Sequence, residues 1–132
     1  MDELNNSSDV SSFIRTNNES LDKVGFYEYL ELMVQQSGMK KAEIIKKSQL
    51  NEIYAYQVFS GKKNPSKDKI CALALAMKLD IDKAQRLLKL AGDSVLYPKN
   101  SRDCIIISAL NKGLTVMETN RILYENSMEC LR

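Results

Sequence analysis

MKKAEIIKKSQLNEIYAYQVFSGKKNPS, residues 39–66, sets the pattern around which the rest of the chain is arranged. It holds two short helical patterns around a tight turn, then a basic loop ending at Pro65 and Ser66. In the first, over 41–48, Ile44 and Ile45 form the inward face, and Lys40, Lys41, Lys46 and Lys47 face outward. Asn51 is a good N-cap for the second, because its short side chain can accept from a free first-turn N–H. Gly61 is a natural glycine stop. Ala55, Val58 and Phe59 are expected to point inward between them.

Working outward, Phe26, Leu30, Met33 and Val34 recur at helical spacing and predict a helix over 26–36, with Asp22 near its start and Ser37-Gly38 as its end. Ser66 is placed to cap a fourth helix reaching about residue 78, with Ile70, Leu73, Ala74 and Met77 as its apolar face. Asp80 or Asp82 opens a fifth, with Ile81, Ala84, Leu87, Leu88 and Ala91 inward and Gly92 as stop. A sixth, over 101–111, is so apolar in CIIISAL that burial on more than one side is expected. After Lys112-Gly113, Thr115 is a cap for a seventh over 116–125, with Val116, Ile122 and Leu123 inward. Residues 1–22 are rich in Asn, Ser and acid and read as a flexible polar tail. The expectation is an all-α chain: a five-helix domain over 23–93 and a C-terminal αα-hairpin over 94–132 packed on the same core.

Composition agrees with this class. Of 132 residues, 44% are apolar, and only two are proline and five glycine, so a helical globular core is favoured. No run of about eighteen apolar residues could span a bilayer, and the N-terminus has no apolar signal core. Cys71, Cys104 and Cys130 are odd in number and widely spaced, which argues against a disulfide framework or a zinc site. A reducing, cytoplasmic setting is expected, with no membrane, metal or cofactor. There is no histidine, glycine-rich phosphate loop or carboxylate cluster, so an enzyme is not expected. The net charge is only +2, but residues 38–70 carry eight lysines against Glu43, Glu52 and Asp68. Positive charge is concentrated on residues 38–70, as a polyanion-binding footprint would require.

Residues 25–92 resemble the Cro/C1-type (XRE-family, lambda-repressor-like) helix-turn-helix domain. Ile44 and Leu50 match its apolar positions around the turn, Asn51 its Ser cap, and Val58 an aliphatic of its recognition helix. Gly61, Lys62, Lys63, Asn64, Pro65 and Ser66 match its loop almost letter for letter. Three departures from the pattern involve four positions. Ile45 and Ala55 exchange a small-large pair, conserving volume. Gln49 replaces the turn glycine, at about 1 kcal/mol if the left-handed conformation is kept. Lys41 replaces a phosphate-binding Gln.

The resemblance implies a helix reading base edges in the major groove of double-stranded DNA. Its reading positions fall on Glu52, Ile53, Tyr54, Gln57 and Ser60. Gln57 can pair bidentately with adenine, Glu52 can accept from cytosine, and Ile53 can touch a thymine methyl. Lys40, Lys41, Asn51, Tyr56, Lys62, Lys63 and Lys67 are the corresponding phosphate contacts. The expected function is a sequence-specific transcriptional regulator, a repressor acting as a homodimer. The seventh helix and the apolar tail 128–131 are the candidates for the dimer surface. The alternative is a non-enzymatic protein-binding module, antitoxin-like or a regulator of a partner, that keeps the fold without the DNA work.

Overall fold

The structure, a computed structural model, describes residues 25–132. The polar segment 1–22, including Asp22, lies outside them. The described residues are all-helical, with seven helices and no strand. α1 is Phe26–Ser37, α2 Lys41–Ser48, α3 Glu52–Phe59, α4 Lys67–Ala76, α5 Ile81–Leu90, α6 Ser101–Lys112 and α7 Val116–Glu125.

Local chemistry sets most of the boundaries. Asn51, Asp80, Asn100 and Thr115 each accept a first-turn backbone N–H through the side chain, and Thr115 with Glu118 completes a capping box. Ser66 occupies the cap position of α4, but its hydroxyl makes no capping bond, contrary to expectation. The first two helices end alike. Ser37 Oγ donates to the Val34 carbonyl (2.6 Å) and accepts from the Met39 N–H (3.0 Å), around Gly38 at φ 71°. Ser48 Oγ donates to the Ile45 carbonyl (2.7 Å) and accepts from the Leu50 N–H (3.2 Å), around Gln49 at φ 65°. The turn therefore keeps its left-handed residue and places a side chain where α1 ends in glycine. Gln49→Gly is expected to raise stability by about 0.5–1 kcal/mol, measured by urea unfolding.

α4 is the central helix. The sequence pattern gave it one apolar face, but Ile70, Cys71, Ala72, Leu73, Ala74, Leu75 and Ala76 are all buried. It is enclosed because α2, α5, α6 and α7 all pack on it. Its alanines have the small volume that close approach from several directions requires. Burial also pushes the Cys71 thiol up to about 12, so it is an inert core group at neutral pH.

One continuous core runs from Leu30 to Leu131. On α6, Asp103, Ile106, Ala109 and Leu110 are buried, Ile105 and Ile107, on either side of Ile106, are half-buried against the core, and Cys104 is exposed. The helix is thus covered on more than one side, as expected, with α4, α5 and α7 packing on it. On α7, Val116 and Leu123 are buried as expected, Ile122 is half-buried, and Thr119 is fully buried with its hydroxyl on the Thr115 carbonyl (2.8 Å). The tail 128–131 does not remain open for a partner: Leu131 is buried and Met128 packs on the core.

Candidate nucleic-acid interface

α3 displays its side chains in three directions. Ala55, Val58 and Phe59 are buried as expected. Ile53, Tyr56, Gln57 and Ser60, at spacing i, i+3, i+4 and i+7, share the outer face. Glu52 and Tyr54 lie about 100° to either side of Ile53. Ile53 is 72% exposed and Tyr56 41%. Gln57 is half-buried, and its carbonyl collects the Lys62 N–H (2.8 Å), the Lys63 N–H (3.3 Å) and the Ser60 hydroxyl (3.1 Å). The basic loop is thereby folded back onto the end of α3. Gly61 turns it at φ 85°, beside the Tyr27 ring, and Pro65 is buried.

Tyr54 departs from its expected role at a base. It is half-buried against the core, its ring 5.2 Å from Lys69 Nζ, and burial pushes its phenol up from the ordinary value. Asn51 is exposed, but its carboxamide oxygen is committed to the Tyr54 N–H (2.9 Å) as the helix cap. That leaves only its amide nitrogen for a phosphate.

The lysines divide into two groups. Lys67 was expected on a phosphate, but its ammonium turns inward to the buried Asp103 carboxylate (3.1 Å), with Ser94 Oγ and the Val95 carbonyl nearby. A buried carboxylate outcompetes solvent for that charge. Lys41 is likewise drawn in, paired with Glu31 (2.8 Å) and 5.6 Å from the centre of the Phe59 ring. Lys47 pairs with Glu43 (3.2 Å), and Lys69 donates to an Arg132 backbone oxygen (3.0 Å). Lys40, Lys46, Lys62 and Lys63 remain exposed and in no ion pair among the described residues. Four of the eight lysines are therefore engaged within the chain, and four are exposed without an ion pair among the described residues.

Ala42, Ile45, Lys46, Gln49, Leu50 and Glu52 line an open concavity beside the turn. Ile45 and Ala55 are both buried, consistent with the exchanged pair. Ala55→Ile should overpack the motif by about 1–3 kcal/mol, and adding Ile45→Ala should recover much of that loss. Equal urea midpoints for the single and double variants would mean that the two side chains do not share space.

No group of three or more potential metal ligands occurs among the described residues, and no described helix is long and apolar enough to cross a membrane. No family model, curated protein or solved structure matches the chain.

Proposed function

We propose that this chain is a sequence-specific, double-stranded-DNA-binding regulator with a lambda-repressor-like, Cro/C1-type helix-turn-helix over α2 and α3. The outer face of α3 carries the reading. Ile53, Tyr56, Gln57 and Ser60 stand on one side of a capped helix, with Lys62 and Lys63 on the loop folded back onto its end and with Lys40, at the N-cap of α2, and Lys46, on α2, both exposed. Ile53, exposed at the start of this face, is free to meet a thymine methyl. Gln57 reads adenine, Glu52 reads cytosine or rejects wrong sites by repulsion, and Ser60 adds a short-range polar contact. Lys40, Lys46, Lys62 and Lys63 neutralise phosphates, and Tyr56 adds a hydroxyl contact. A protein seated in the groove excludes others from it, which suits a repressor.

Few charges remain per chain, so a homodimer reading two half-sites about 34 Å apart suits the affinity required. With 128–131 covered, Met117 (67% exposed) and Tyr124 (76%), one stripe on α7, are the surface left for it. Four phosphate contacts per chain predict a log–log salt slope of roughly −3.6 per protomer. Titration of labelled random duplex at two salt concentrations tests this. Binding with that slope supports the proposal, and salt-independent or absent binding refutes it.

The bare Ile53 beside Tyr56 also favours a second reading, a protein-binding face on the same helix. A partner retained after nuclease treatment, lost with Ile53→Asp, and found without duplex binding would replace the first reading with this one.

A further inference from the structure

The first turn of α4 is engaged, residue after residue, by the C-terminal part of the chain. Lys67 meets Asp103. Asp68 receives both terminal nitrogens of Arg102, at 2.9 and 2.8 Å. Lys69 donates to an Arg132 backbone oxygen. The segment leading to Arg132 is itself strapped down. Arg102 donates to the Glu129 carbonyl (3.0 Å) and the Cys130 carbonyl (3.4 Å). Asn120 accepts from the Leu131 N–H (2.7 Å) and donates to its carbonyl (3.4 Å), and the Leu131 side chain is buried.

We infer that Lys69 is a positioning residue that couples this C-terminal strap to α3, its ammonium lying 3.0 Å from an Arg132 backbone oxygen and 5.2 Å from the centre of the Tyr54 ring. An ammonium has three donors and no acceptor, so it can hold a backbone oxygen and the negative face of a ring together. Tyr54 sits in the first turn of α3, beside the Asn51 cap, so the ring fixes the start of that helix. The path runs from strap to Lys69 to Tyr54 and includes none of the outer-face residues Ile53, Tyr56, Gln57 and Ser60. Whatever lifts the strap therefore loosens the way α3 is presented without altering the face itself. The consequence for DNA rests on the proposed function, whereas the coupling is a property of the free chain.

Amide hydrogen exchange of the free, full-length protein tests it. Lys69→Met should speed exchange of the α3 amides about three- to tenfold and leave those of α5 unchanged. Lys69→Arg and Tyr54→Phe, which keep the cation and the ring, should exchange like the parent. Leu131→Ala should speed α3 exchange in the parent but add little on top of Lys69→Met. Parent-like α3 exchange in Lys69→Met, equal acceleration of α5, or fully additive effects would each overturn the inference. On duplex DNA, Lys69→Met should weaken binding with an unchanged salt slope, and a slope reduced by about one would make Lys69 a phosphate contact instead. If the parent binds no duplex, the DNA reading fails alone, and the exchange measurements still decide the coupling.

Discussion

Phe59→Ala is expected to lower the stability of the fold by about 3–5 kcal/mol. Phe59 closes α3, is 1% exposed, and is among the largest fully buried side chains. Truncation removes a ring's worth of transfer free energy and leaves a cavity where α3 packs on α1. It also strips the surface beneath the Lys41 ammonium, whose remaining partner is Glu31. Against a total of about 5–15 kcal/mol for a domain of this size, the loss is large. Urea unfolding followed by helical circular dichroism should show a lower midpoint with an unchanged slope. Tyr56→Ala, three residues earlier on the outer face, should stay within about 0.5 kcal/mol of the parent. Comparable losses from both would mean that α3 is rotated relative to the core.

Asp103→Ala carries the second large effect, about 3 kcal/mol. The carboxylate is 4% exposed, and one oxygen receives both the Lys67 ammonium (3.1 Å) and the Tyr97 N–H (3.0 Å). Removing it orphans a backbone donor and leaves a partly buried ammonium without its counter-charge. Asp103→Asn keeps an acceptor and should cost less. Lys67→Met removes the charge, so Asp103→Ala should cost less in that background than in the parent. Chemical denaturation of the four chains closes the cycle, and additive losses would mean that the pair is not coupled in solution.

These two effects differ in how far the sequence announces them. Phe59 is legible because the apolar spacing of 55, 58 and 59 fixes one face of a capped helix. The caps at Asn51, Asp80 and Thr115 and the stops at Gly38, Gly92 and Gly113 are legible for the same reason: each acts within a few residues of itself. The Lys67–Asp103 pair joins residues 36 apart, and Arg102–Asp68 joins residues 34 apart. No local pattern encodes such contacts, so Lys67 and Lys41 read as phosphate ligands until the folded chain claims them. The enclosure of α4 is hidden similarly, since its alternating Ala and Leu residues suit one buried face as well as burial all round. The exposed stripe of α3 sits between these cases. Its positions follow from helical spacing, but the turning of Tyr54 toward Lys69 depends on where α4 lies.

In the proposed function the outer face of α3 reads bases while the uncommitted lysines only hold the backbone. Selection of bound sequences from random duplex, run in parallel for the parent, Gln57→Ala and the Lys62→Ala/Lys63→Ala pair, separates these two roles. Gln57→Ala should relax preference at one base position per half-site, by about 1–3 kcal/mol, and leave the other positions unchanged. The lysine pair should keep the parent's preferred sequence, bind more weakly, and lower the salt slope by about two. Recovery of no preferred duplex by the parent, or of the same preference by Gln57→Ala, would contradict the assignment of α3 as the reading helix.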